Sequence, residues 1–513
     1  MKTRILATLC LLCITKILFS QNDKMPTPQW RPAYHFTPEK NWTNDPNGII
    51  YLDGVYHLYN QQNPYENKWG HMSWGHATST DLVHWKHLPI AIPETIDRDT
   101  TWRFSGCAVL DEKNTSGFCT NGPCLVAIYT ADQPNLKKES QFVAYSHDGG
   151  MSYINYAGNP VIDLHKRDFR DPNVTWNEQL GKWLMVVALP RDHAVRFYSS
   201  SNLKDWDMVS EFGAAGYANA GWECPSLLEL PVEGNSHEKK WVLFVSAGGR
   251  ERGPFMQYFV GDFDGKTFKN DNPADKILTV DEGDCFYAAI PWNNLPGDRK
   301  ILIGWMVPGP QETYPWRGQM SIPRDLSLRK TSEGLRLVQQ PSAVIAKNLG
   351  KLSGDRIIRK TDIVTSDGER VLENMKGNAY WLDAVLTASE GVDFGFKIGQ
   401  KKGTEGQSIS ETIVGFDGKN NQWYVDRSKC GSEKLNRNKI KQTVQLPNSG
   451  KTTHIQILFD RSSLEVFLGD GEKVLSTYIF PAPDADGLSF YSRGGSTTIN
   501  SLSVYDLSAA STP

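Results

Sequence analysis

The sequence predicts an all-β chain in two parts, a five-bladed β-propeller followed by a β-sandwich. Three observations predict it. A degenerate unit recurs five times in the first two-thirds of the 513 residues. The pattern changes near residue 345 to short alternating strands separated by turns. Neither part shows a long helical periodicity beyond the N-terminal segment. The composition agrees, with 44 Gly, 16 Trp, 19 Tyr and 21 Phe suited to many strands and turns. We expect the propeller over residues 28–345 and the sandwich over 350–510.

Each repeat unit is a polar or acidic motif, an apolar strand, a turn and a second strand rich in aromatics. The first copy opens at Asn44-Asp45-Pro46-Asn47-Gly48 and continues as IIYLDGVYHLYN, with Asp53-Gly54 as its hairpin turn. The others open at Phe104-Ser105-Gly106, Arg170-Asp171-Pro172-Asn173, Trp222-Glu223-Cys224-Pro225 and Phe286-Tyr287-Ala288. The anchors Asp45, Ser105, Asp171, Glu223 and Tyr287 are spaced by 60, 66, 52 and 64 residues. A second echo (79–85, 146–154, 200–208, 262–269) reads as the turn into an outer strand. Four short strands repeated five times give a propeller, and radial repetition brings the five motifs to one axial mouth. That is the reason to treat distant acids as one site rather than as turn caps. In the second part, Asp367-Gly368, Asp417-Gly418 and Asp470-Gly471 mark hairpins.

Charge excludes one class of partner. With 55 basic and 58 acidic side chains, net −3, the chain has no basic excess to neutralise nucleic acid. Residues 1–20 read as a signal peptide: Lys2 and Arg4 precede a mostly apolar run that Lys16 interrupts, too short for a membrane span. We expect cleavage after Ser20 and export to the periplasm or the medium, with no membrane span. Six Cys follow, too few for a disulfide framework; Cys119 and Cys124 flank a turn and are either bridged or two free thiols. No second Cys/His pair has zinc spacing. The sequence carries no signal for oligomeric state.

Three carboxylates, Asp45, Asp171 and Glu223, stand at repeat starts. Clustered like charges spread their pKa values, so one acid can hold a proton while another is ionised. Glycosidic cleavage needs that division. Trp42, Trp69, Trp74, Trp102 and Trp222 lie near these motifs as candidates to stack on sugar faces, whereas Trp85, Trp183 and Trp206 read as core.

WTNDPNG (42–48), FSG (104–106), FRDPNV (169–174), WECPSL (222–227) and DRSSLEVF (460–467), in this order and spacing, resemble glycoside hydrolase family 32, the invertases, inulinases and levanases. The resemblance runs from about residue 30 to 508. It implies hydrolysis of β-fructofuranosidic bonds of fructan or sucrose with retention and without metal or organic cofactor. Asp45 would be the nucleophile, Glu223 the acid and then the base, and Asp171 the ligand of the fructose hydroxyls. Asn44, Gln61, Trp69, Phe104, Ser105, Arg170 and Tyr287 would line the fructose pocket, with Arg170 keeping Asp171 ionised. Retention implies Asp45 and Glu223 carboxyls about 5–5.5 Å apart. Val307-Pro308-Gly309 replaces the usual Asn-Asn-Trp, Cys285 a usual Asp, and Gln62 a common aromatic. These departures bear on linkage and on exo versus endo action, not on the triad. An exo-acting β-fructosidase is the first reading, an endo-levanase or endo-inulinase the second, a fructosyltransferase the third. A silent carbohydrate-binding propeller would have no need of both Asp45 and Glu223. Asp460-Arg461 and Glu465 read as a stabilising turn and strand.

Overall fold

The computed structural model describes residues 27–96, 100–248, 253–431, 434, 440–446 and 452–510, without the side chains of 236, 373 and 374. The signal-peptide reading lies outside these residues. Among them no helix is long and apolar enough to cross a membrane.

Five antiparallel blades form the first part. Their innermost strands are Asn41–Leu52, Trp102–Asp111, Arg170–Asn177, Glu223–Val232 and Phe286–Pro291, so every repeat motif sits at or within three residues of an innermost strand's start. Each outer echo spans the link from a blade's third strand to its outermost one, as in Ala194–Ser200 to Asp207–Gly213. Asp53 and Gly54, both at positive φ, close the first hairpin between Leu52 and Val55. The ring closes where Trp316–Arg317 pairs with Asn41–Trp42 and Ile50 bridges Asn293.

A helix, Ala343–Ser353, joins the two parts, and the expected division at 345–350 falls inside it. It buries Ile345 and Leu349 on one stripe, and Asp325 Oδ2 accepts from the Ala343 N–H at its first turn (2.8 Å). Eleven residues with so short a stripe leave little periodicity to read.

The second part is a β-sandwich around one apolar core. Its two sheets are joined by the 20-residue strand Gly487–Asp506, which pairs with Asp393–Lys402 at one end, with Ala379–Ala388 at the other, and with Ile357–Lys376 along its length. Asp417-Gly418 and Asp470-Gly471 are hairpin turns as expected. Asp367-Gly368 is not: it is a bulge within Ile357–Lys376, where Asp367 Oδ1 accepts from the Gly494 N–H (2.7 Å). Cys119 and Cys124 are bridged.

The parts are clasped by a buried charge network. Asp460 accepts from the N–H groups of Ala33, Tyr34 and His35 (2.6, 2.9 and 3.0 Å) and from His35 Nδ1 (2.8 Å). Glu465 takes His35 Nε2 (2.9 Å), the Ile322 N–H (2.7 Å) and Arg324, whose other arm meets Asp281 (3.0 Å). Burial alone would lower the His35 pKa, but the hydrogen bonds and charges of Asp460 and Glu465 outweigh it and hold it at about 9. Burial raises the Glu465 carboxyl, and the Arg324 charge and His35 more than reverse this, to about 2.

The sign follows by linkage. The His35 contribution is complete below its ordinary 6.5 and is lost as pH rises through about 9. That of Glu465 is complete above its ordinary 4.5 and is lost as pH falls through about 2. Thermal unfolding across pH should therefore show a plateau in Tm between these ordinary values. His35→Ala should lower stability by about 3–5 kcal/mol and flatten the decline on the alkaline side. An unchanged alkaline profile in that variant would contradict the clasp.

Candidate active site

The five innermost strands share a local distortion. Register slips between Thr43 and Pro46, Arg103 and Gly106, Arg170 and Asn173, Glu223 and Ser226, and Tyr287 and Ile290. Each slip is a bulge at the strand's start, and Asp171, Cys224 and Ala288 there have positive φ (66°, 46° and 52°). Proline, which has no N–H to give a ladder, fits such positions, hence Pro46, Pro172 and Pro225. The bulges set Asn44-Asp45, Ser105 and Asp171 out of the ladder, while Glu223 and Tyr287, the paired residues just before their own bulges, face the same mouth.

A cavity of about 630 Å³ opens there. It is lined by nine of the ten residues expected from the sequence: Asn44, Asp45, Gln61, Trp69, Phe104, Arg170, Asp171, Glu223 and Tyr287. The tenth, Ser105, donates to Asp45 Oδ2 at 2.5 Å and takes a hydrogen bond from Gln61. Asp45 is further held by Asn44 Nδ2 (3.2 Å) and Gln61 Nε2 (3.4 Å), and Asn44 is itself oriented by Trp42 Nε1 on its Oδ1 (2.9 Å). Burial raises the Asp45 carboxyl; the Ser105 hydrogen bond opposes this and the Glu223 charge adds to it.

Glu223 is gripped from two sides. Arg170 Nε reaches Oε1 (3.0 Å) and the Tyr287 hydroxyl donates to Oε2 (2.7 Å). The other edge of the Arg170 guanidinium meets Glu139 (3.0 Å) and Asp168 (3.1 Å). Arg170 was expected to keep Asp171 ionised, and the geometry corrects this. The guanidinium pairs with Glu223, Glu139 and Asp168, while Asp171 Oδ2 accepts from the Cys224 N–H (2.9 Å) and its thiol (3.5 Å). Burial therefore dominates and raises the Asp171 carboxyl; the Arg170 charge opposes it too weakly, and the charges of Glu223 and Asp45 add to the rise.

Among the tryptophans, Trp69 is half exposed and stands edge-on to Trp102 and Phe104 (5.3 and 6.0 Å). Trp74 and Trp222 are fully buried and are core, not sugar platforms. Trp85 and Trp183 are buried as expected, and Trp206 packs partly buried against the core. Just before the altered 307–309 segment, Trp305 lines the cavity and packs edge-on to Trp42 (5.8 Å). The Val307 N–H is tied to Cys285 O (2.7 Å) and Gly309 O accepts from Arg317 (2.9 Å).

Sequence reasoning missed Asp132, Glu139, Asp168 and Arg191, which also line the cavity. Asp132 and Glu139 sit at the ends of the second and third strands of blade two, directly paired across their hairpin. Only strand register places them at the mouth. The alternating Arg167-Asp168 and Arg170-Asp171 pairs were the one legible signal.

Models of glycosyl hydrolases family 32 match nearly all of the described chain, the N-terminal domain over residues 35–341 and the C-terminal domain over 349–506. The levanase of Bacillus subtilis (strain 168) is 44% identical over 495 residues, 93% of this chain and 70% of that protein. The extracellular exo-inulinase of Aspergillus niger is 35% identical over 551 residues, 99% of each chain. The solved exo-inulinase from Aspergillus awamori superposes with a TM-score of 0.85 at 36% identity, covering 95% of this chain and 99% of that one. The fructofuranosidase from Schwanniomyces occidentalis complexed with fructose gives 0.83 at 29% identity, covering 94% and 99%. A propeller with its acids at the mouth, a sandwich clasped to it and these matches together place the chain among the glycoside hydrolases, as a member of family 32.

Proposed function

We propose that the protein is an exported, retaining β-fructosidase that removes terminal fructosyl units from fructans and from sucrose. The observation that carries it is the pair Asp45 and Glu223 on one cavity, held by unlike partners. Asp45 is surrounded by neutral donors, which favour an anion free to attack. Glu223 is oriented by Arg170 and Tyr287.

Asp45 attacks the anomeric C2 while Glu223 gives its proton to the departing oxygen, so the C2–oxygen bond breaks as the ester to Asp45 forms. Glu223, now a carboxylate, takes a proton from water, whose oxygen attacks C2 and expels Asp45. Asp171 binds the fructose hydroxyls. Exo action is supported by Trp305 and Trp69, two bulky side chains on the wall of the cavity. It agrees with relatives whose names are exo-inulinase. Export is supported by the N-terminal segment and by relatives described as extracellular.

The first products on inulin, levan and sucrose test this. Fructose alone from the earliest times is expected from the fructans, and a ladder of oligosaccharides would overturn exo action. Asp45→Ala should lose about 10⁴-fold or more in kcat, and Glu223→Ala should lose most activity on these sugars; full activity in either would sink the mechanism. Removing the Ser105 hydroxyl takes away a hydrogen bond that lowers the Asp45 pKa. In Ser105→Ala the acidic limb of kcat/KM should therefore move to higher pH, and a shift to lower pH would contradict the assignment.

A further inference from the structure

Two acids face each other at the end of the blade-two hairpin, and they are satisfied very unequally. Glu139 takes Arg170 on both oxygens (3.1 and 3.0 Å) and the Phe169 N–H (3.0 Å). Asp132, directly opposite and only 2% exposed, has no hydrogen bond to its Oδ1 among the described residues. Its nearest cation is Arg167, at 4.0 Å, beyond hydrogen-bond reach and half exposed at the cavity rim. A buried carboxylate without a donor is costly and is not retained for stability. Burial, with the facing Glu139 charge, pushes this carboxyl up to about 6. Asp132 lines the catalytic cavity beside Trp102, its partner on the innermost strand. Groups perturbed in this way on a cavity wall mark functional positions.

Resting on the fructosidase reading, we propose that Asp132 is a specificity-determining residue: its carboxylate accepts hydroxyl hydrogen bonds from the sugar unit attached to the fructosyl unit being cleaved. Four other acids of the cavity wall already have partners within the protein. Asp45 is held by Ser105, Asn44 and Gln61, Asp171 by Cys224, Glu223 by Arg170 and Tyr287, and Glu139 by Arg170. Among the described residues Asp132 is the acid of the wall left without a donor, and a sugar leaving group brings vicinal hydroxyls that supply donors. Arg167, on the open side, closes the same subsite from the rim.

The test compares substrates that differ only in that leaving group. In Asp132→Ala, kcat/KM for sucrose and for a fructosyl trisaccharide should fall about tenfold or more, chiefly through KM. Methyl β-fructofuranoside, which has no second sugar, should stay within about twofold. Asp132→Asn keeps one acceptor oxygen and should show a smaller loss on the same substrates. Both variants should melt at or above the native Tm, because an unpartnered buried charge has been removed. A parallel loss on methyl β-fructofuranoside would overturn the proposal and assign Asp132 to positioning Arg170 through Glu139. A lowered Tm in both variants, or no loss on any substrate, would overturn it as well. Native protein inactive on all three substrates would overturn the fructosidase reading beneath it.

Discussion

The bulge at the start of each innermost strand is the constraint on which the rest of the site depends. An undistorted strand would alternate its side chains between two faces of the blade. By slipping the register at five equivalent places, the fold leaves two consecutive residues per blade unpaired, and the residues at or just before these slips line the mouth. The distortion is local, with left-handed backbone at Asp171, Cys224 and Ala288. The surrounding blades, each an antiparallel sheet packed on its neighbours, hold it in place.

Bringing carboxylates together in a buried mouth raises an electrostatic cost, and the site meets it unevenly. Neutral donors surround Asp45, a guanidinium and a phenol grip Glu223, and a backbone N–H and a thiol meet Asp171. That unevenness is the functional asset. Unlike partners suit one acid to attack and another to carry a proton. The sandwich contributes at a distance: its Asp460 and Glu465 hold the segment at 33–35 and, through Arg324, blade five. The DRSSLEVF segment thus acts as a joint between the parts.

Much of this was legible in the residues, and for physical reasons. Motif spacing follows from a blade's four strands, and Pro after Asp45, Asp171 and Cys224 marks backbone that cannot sit in a regular ladder. The resemblance to family 32 then supplied roles that spacing alone could not. What stayed hidden depends on pairing across sequence. Asp132 and Glu139 reach the mouth only through the register of their hairpin, and the direction taken by Arg170 depends on Glu139 and Asp168 competing for it. Asp-Gly at 367 has the composition of a turn yet lies in a long strand, because a bulge and a hairpin ask for the same backbone.

The central claim is that Asp45 forms the covalent bond and Glu223 moves the protons. Incubating Glu223→Ala with β-fructofuranosyl fluoride, whose leaving group needs no proton, isolates the first half of the reaction and slows the second. Peptide mass spectrometry should then find one fructosyl unit esterified to Asp45. A fructosyl unit on Asp171, or release of fluoride with Asp45 unmodified throughout, would contradict the account.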